Sequence, residues 1–320
     1  VAVCTTAQDQ RLPKITTDGA GGAIVVWVDA RNADNVYDIY AQRINGDGAA
    51  LWTPQGVPVC VMPGYQGQPD VCTDGNGGAY IVWEDQRPSI GTQIFSQRLD
   101  ANGNSLWASN GLALTSGACG HRLDRKGEII PDGSGNCLVS FLRSGANCSN
   151  NGAGYVEQVI TEKVNPAGTV LWAAALYAPP PPAPAMINLF HVQITSDGSG
   201  GGIVSFQQNV SGAGNIYAQR VDMNGALQWG GVAQPVQICN TRVFGSSIAP
   251  DGSGGAIWAW NDYRTGTVQI YAQKINGAGA LQWQTNGILV ADHAGGNQSP
   301  FSLVPNGAGG GLLVTYRFSP

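Results

Sequence analysis

The chain has 320 residues, 43% of them hydrophobic, enough for a substantial core. Charged residues make up only 12%, about half the usual ~25%. The formal net charge is −5 and no basic run occurs, which excludes a nucleic-acid partner, because phosphates demand a Lys/Arg footprint. No stretch approaches the ~20 apolar residues of a membrane helix, so membrane insertion is not expected.

In chain order, residues 1–4 (Val1, Ala2, Val3, Cys4) predict a short apolar strand, because their sequence, VAVC, matches VPVC at 57–60. Residues 18–31 read DGAGGAIVVWVDAR. A phosphate-cradling loop would need its glycines at the mouth of a helix. Here Ile24, Val25, Val26 and Trp27 follow instead, a β-branched and aromatic run that predicts a strand, and the glycines form a turn between two strands. The block IYAQRIN from Ile39 predicts a third strand, and after a Gly-containing turn and Trp52 the run ending at Cys60 predicts a fourth.

The same order returns along the chain. DG or NG turns begin at residues 18, 74, 132, 197, 251 and 306, with spacings of 56, 58, 65, 54 and 55 residues. The third-strand block recurs from Ile94, Ile216 and Ile270 and, degraded, from Val159; Trp107, Trp172, Trp229 and Trp283 follow it. Two insertions break the pattern: RSGANCSNNGAGYVEQ from Arg143, and LYAPPPPAPAMINLF from Leu176, whose proline run should be a stiff polyproline II segment. The sixth unit offers an entry strand at 301–305 and a long strand at 310–318, and no third strand after them.

Consecutive apolar positions 23–27 require both faces of the second strand to be covered, as for an inner strand between stacked sheets. Four-stranded units of about 55 residues, repeated six times, predict an all-β, six-bladed β-propeller forming one domain over residues 1–320. Tandem immunoglobulin-like modules would need nearer ~100 residues each. The N-terminal strand is expected to complete the sixth blade, either of its own chain or, head to tail, of a neighbour.

The combined blocks DGxGGxIxxWxDxR, IYAQR and LW resemble the repeat of secreted bacterial β-propeller-like proteins, over nearly the whole chain. The resemblance implies export and a propeller fold, and it brings no general biochemical activity with it. Export is also expected from a first residue that is not Met and from seven cysteines among few lysines.

The most ordered polar feature is Trp-x-Asp-x-Arg, at Trp27/Asp29/Arg31, Trp83/Asp85/Arg87 and Trp260/Asp262/Arg264. Alternate strand residues share a face, so Asp and Arg can pair. A group repeated identically around a ring is expected to brace the blades, because a site gathers unlike residues at one point. The Gln-Arg pair of the third strand is read in the same way. Cys119 with Cys148, and Cys60 with Cys72, are the expected disulfides. His121, His191 and His293 fall at different phases and show no metal-ligand spacing, and DANGNS from Asp100 is only faintly like a calcium loop, so no metal and no cofactor are expected.

Three functional classes fit. The first, and the expectation here, is a non-enzymatic secreted structural or interaction protein, self-assembling through its incomplete terminal blade or docking on a surface glycan. The second is a lectin-like propeller that stacks sugars on Tyr40, Tyr217, Tyr271 and Trp258. The third is a polysaccharide-acting enzyme, whose carboxylates would come together at a central channel from distant positions in the sequence; the fold alone does not decide between them.

Overall fold

The computed structural model describes the chain except residues 34–35, 88–90, 116–121, 147–154, 179–187, 211–212, 233, 292–301 and 315–320. Every regular element among the described residues is a strand. The chain divides into two compact units, residues 1–155 with 161–173, and residues 156–160 with 174–320.

In the first unit, β1 (Gln10–Thr17), β2 (Ala23–Ala33), β3 (Val36–Ile44) and β4 (Val57–Cys60) form an antiparallel sheet in sequence order. The next repeat follows the same plan with β5 (Gln66–Thr73), β6 (Ala79–Asp85), β7 (Gly91–Leu99) and the two-residue β8 (Leu112–Ala113). β8 covers only Phe95 and Ser96 of β7, and the uncovered start of β7 takes Arg122 and Leu123 of β9 (Arg122–Pro131) as a parallel partner. The second and third repeats are thereby joined into one eight-stranded sheet, continued by β10 (Cys137–Ala146), β11 (Tyr155–Val164) and β12 (Val170–Tyr177).

In the second unit, β13 (Asn188–Ser196), β14 (Gly202–Val210), β15 (Ala213–Val221) and β16 (Val236–Asn240) form one four-stranded sheet. β17 (Val243–Pro250), β18 (Ala256–Asp262), β19 (Gln269–Ile275) and β20 (Ile288–Ala291) form another. β21 (Ser302–Pro305) and β22 (Gly311–Val314) pair as a two-stranded sheet.

The glycine turns are closed by their aspartates. Asp18 Oδ1 accepts from the backbone N–H of Ala20 and Gly22, each at 2.8 Å, and Gly19 and Gly21 take φ of 75° and 85°, conformations that a side chain would strain. Asp18 Oδ2 accepts from Arg43 Nε at 3.0 Å, so the turn is tied to the third strand. Asp74 with Arg98, Asp132 with Lys163, Asp197 with Arg220 and Asp251 with Lys274 repeat the tie. The glycines serve a turn between two strands. Asp100 does likewise in the calcium-like stretch: its Oδ1 accepts from the N–H of Asn102 and Asn104.

Adjacent sheets are riveted within each unit. Trp52 Nε1 donates to Ala101 O at 2.9 Å, Trp107 Nε1 to Pro166 O at 3.0 Å and Trp229 Nε1 to Gly277 O at 3.0 Å, each reaching the turn of the following repeat. Between the sheets lie buried cores, one of them built on Ile24, Val26, Ile39, Val59, Ile81 and Trp83. Gly111, at φ 89°, lies under the ring of Trp83, and a Cβ there would sit 2.3 Å from Trp83 Cη2. Gly111→Ala combines that overlap with a strained backbone and is expected to cost about 3 kcal/mol. Chemical denaturation checks it, with Gly133→Ala, which has the strained φ but open space around its Cβ, isolating the packing part.

Residues 1–4 do not form a strand. In the complete sheets the fourth strand pairs with the third, and the stretch after β22 that would offer such a partner lies outside the described residues. Cys4 Sγ lies 3.8 Å from Asp29 Oδ2 and accepts from Arg31 Nη2 at 3.3 Å, the same contacts that Cys60, at the end of β4, makes to Asp85 and Arg87 of the next repeat.

Candidate active site

The two ends of each sheet differ. The turns between first and second strands repeat one design, whereas the connections from second to third strand and from fourth strand to the next sheet vary widely in length. Both insertions fall among these variable connections, and the stretches 147–154 and 179–187 within them lie outside the described residues. Variable connections at one end of a rigid scaffold are where binding and catalytic residues concentrate.

The first strand of every complete repeat carries a bulge. Register shifts lie at 11–14, 67–70, 125–128, 190–193 and 244–246. Each contains a residue at positive φ: Leu12 (50°), Gln68 (49°), Lys126 (59°), His191 (51°) and Gly245 (58°). Four of the five are not glycine. A bulge re-aims the side chains after it, and non-glycine residues held in this region store strain of order 1–3 kcal/mol each, a pattern that concentrates at functional sites.

The residue two beyond each strained position is the informative one. In the first unit β5 packs against both β1 and β9, and the side chains placed there are Lys14, Asp70 and Glu128. Lys14 Nζ lies 3.4 Å from Asp70 Oδ1 and 3.8 Å from Glu128 Oε1, so one ammonium bridges two carboxylates from different strands. Asp70 Oδ2 accepts from Ile129 N–H at 3.0 Å, which fixes its plane. Glu84 on β6 accepts from the N–H of Lys126 at 2.8 Å and pins the bulge that precedes Glu128.

Burial raises the pKa of Asp70 against the lowering effect of Lys14. Burial, reinforced by Asp70, pushes Glu128 up to about 7, with Lys14 and Lys126 opposing. Burial works against the Lys14 ammonium, but Glu128 and Asp70 outweigh it and raise its pKa. The cluster therefore sets two carboxyl groups of raised pKa, Asp70 and Glu128, on one ammonium, while the Glu128 side chain keeps 32% of its surface open to solvent.

The second unit shows that the scaffold does not require these charges. At the same phase stand Gln193 and Ser247, and Ser247 Oγ accepts from Leu303 N–H at 3.1 Å, the tie that Asp70 makes to Ile129. A hydroxyl serves there as well as a carboxylate. Gln207, at the phase of Glu84, donates to Ser246 Oγ at 3.0 Å.

The Trp-Asp-Arg residues lie elsewhere and are knitted into each sheet. Asp85 Oδ2 accepts from Trp83 Nε1 at 2.9 Å and Arg87 Nη2 at 2.5 Å, and Oδ1 from Arg87 N–H at 2.8 Å. Arg87 also donates to Asn110 O and lies over the Phe95 ring at 4.0 Å. Trp27, Asp29 and Arg31 repeat this geometry, with Arg31 over Tyr40, and so do Trp260, Asp262 and Arg264, with Arg264 over Tyr271. Burial opposes ionisation of all three aspartates, but the arginine and tryptophan donors prevail and hold them below the ordinary carboxylate range. Tyr40, Tyr271 and Trp258 are buried and Tyr217 is half-buried against Phe206, so none offers an open sugar platform.

The expected disulfide between Cys60 and Cys72 is replaced by two free thiols. Cys60 donates to Asp85 Oδ2 at 3.7 Å and accepts from Arg87 Nη2 at 3.1 Å, and burial pushes its thiol up to about 12. Cys72 is buried near Cys137. Cys119 and Cys148 lie outside the described residues. No group of three His, Cys, Asp or Glu side chains suited to a metal comes together among the described residues, and no helix of the described residues is long and apolar enough to cross a membrane.

No protein-family model and no curated protein matches the chain. Solved structures do. The chain is similar to the Hadza microbial sialidase Hz136, at 13% identity and a TM-score of 0.54 over 93% of this chain and 61% of the sialidase, so it spans about three-fifths of that protein's length. It is also similar to a point mutant of B. megaterium levansucrase, at 9% identity and a TM-score of 0.50 over 90% of this chain and 86% of that one. Similarity to the endo-arabinase from Bacteroides thetaiotaomicron is weaker, at 12% identity and a TM-score of 0.44 over 89% and 97% of the two chains. At these identities the likeness is one of fold, a β-propeller-like all-β architecture.

The expectation of a non-enzymatic protein does not stand. The proteins sharing the fold are enzymes by name, and the first strands bring Asp70 and Glu128, 58 residues apart in sequence, onto one ammonium.

Proposed function

We propose that the protein is an exported enzyme that cleaves glycosidic bonds in a polysaccharide, on a six-bladed propeller whose first strands carry the chemistry. The observation that carries this reading is the Lys14, Asp70 and Glu128 cluster. Asp70 Oδ1 and Glu128 Oε1 each lie within 4 Å of the same nitrogen, which caps their separation at about 7 Å and leaves room for the ~5–5.5 Å spacing of a retaining glycosidase pair. Glu128, protonated near neutrality, donates to the leaving oxygen. Asp70, whose ionised form Lys14 favours against burial and whose plane Ile129 N–H fixes, acts on the opposite side, as nucleophile or as the base that activates water. The likeness of fold to a sialidase and a levansucrase supports the substrate class.

Incubation with a panel of plant and bacterial polysaccharides, with reducing ends as the readout, tests the reading. Turnover is expected to fall as pH rises through about 7, where Glu128 loses its proton, and to fall in acid as Asp70 gains one, at a pH above that of an ordinary carboxylate. Lys14 lowers both pKa values, so Lys14→Met is expected to move both limbs to higher pH. A lysine that only supported the fold would change the rate and leave the limbs where they are.

A further inference from the structure

A second feature lies within the second unit, where the sheet of β13–β16 meets the sheet of β17–β20. Phe190, Asn209, Gly214, Arg242, Val243, Phe244 and Tyr263 line a cavity of about 240 Å³, room for one sugar ring rather than a folded segment. Phe244 and Tyr263 stand 4.8 Å apart between centroids at 32°, forming a shallow aromatic platform, and Tyr263 is 39% exposed. Gly214 keeps the cavity open beside β17: a Cβ there would lie 2.7 Å from Val243 O.

Arg242 gives the cavity its charge. In this unit Arg220 is paired with Asp197 and Arg264 with Asp262, whereas Arg242, an exposed residue of the cavity lining, has no acidic partner among the described residues. In a chain of net charge −5, an arginine without a carboxylate beside two aromatic faces is a receptor for an anion that also has an apolar face. A pyranose with a C–H face and a ring carboxylate fits both features: the C–H face lies on Phe244 and Tyr263, and the carboxylate takes the guanidinium fork.

We infer that this cavity is a binding subsite for an acidic sugar residue of the hexuronate type. The inference rests on the glycan-directed reading for its ligand class and not on the catalytic role of Asp70 and Glu128. Affinity electrophoresis of the full-length chain through gels containing polygalacturonate, neutral galactan or polyglutamate separates the possibilities, with the Asp70→Asn background preventing digestion. Retardation by polygalacturonate alone is expected, weakening with salt. Arg242→Gln and Tyr263→Ala should each reduce the apparent affinity by about tenfold or more at an unchanged melting temperature. Equal retardation by galactan, equal retardation by polyglutamate, or undiminished binding by a folded Arg242→Gln protein would each overturn the inference. Binding lost in Arg242→Gln but kept in Glu128→Gln supports it even where no polysaccharide is cleaved, which separates its failure from that of the catalytic reading.

Discussion

Asp85→Ala is expected to destabilise the protein by about 3–5 kcal/mol, the cost of leaving one member of a buried ion pair without its partner. Asp85 has no exposed surface, and its two oxygens receive Trp83 Nε1 and three donors of Arg87. Alanine leaves the indole N–H without its acceptor and a guanidinium, itself only 16% exposed, without its carboxylate. The sign with pH follows from the lowered pKa of Asp85. Its stabilising contribution is fully present above the unfolded aspartate pKa of about 3.9 and is lost as pH falls through the lower folded value. Urea unfolding of wild type and variant should therefore differ widely at pH 7 and converge in strong acid. A difference that persists unchanged into strong acid would show that packing, and not the ion pair, sets the cost.

The architecture was legible because its causes are local. The turn aspartates, the glycines at positive φ and the apolar second strands each act within a few residues, so the repeat could be read strand by strand, and the brace at Asp29, Asp85 and Asp262 is made by residues two positions apart. The carboxylate pair was not legible in the same way. Lys14, Asp70 and Glu128 each stand four residues before the turn aspartate of their repeat, at Asp18, Asp74 and Asp132. A search for identical residues passes over that phase, because its content changes from Lys to Asp, Glu, Gln and Ser along the chain. Unlike polar residues at one phase of an otherwise regular repeat were the available signal. The bulge that aims them could not be read from the sequence, since Leu12, Gln68 and Lys126 have no common preference for positive φ. The short connection between Cys60 and Cys72 suggests a disulfide but carries no sign that Cys60 is engaged by Asp85 and Arg87.

The central claim is that Asp70 and Glu128 are a catalytic pair, and the most direct measurement is the rate of reducing-end release by Asp70→Asn and Glu128→Gln on a polysaccharide that the wild type cleaves. Both substitutions keep shape, and an asparagine oxygen can still accept from Ile129 N–H, so the fold is expected to survive. Removing burial-strained carboxylates should leave the melting temperature unchanged or raised. Each variant is expected to lose about 10²–10⁴-fold or more in kcat, the range attached to a positioned acid or base, with binding of the polysaccharide retained. Folded variants that turn over at the wild-type rate would contradict the account, and would return Lys14, Asp70 and Glu128 to the role that Ser247 fills in the second unit.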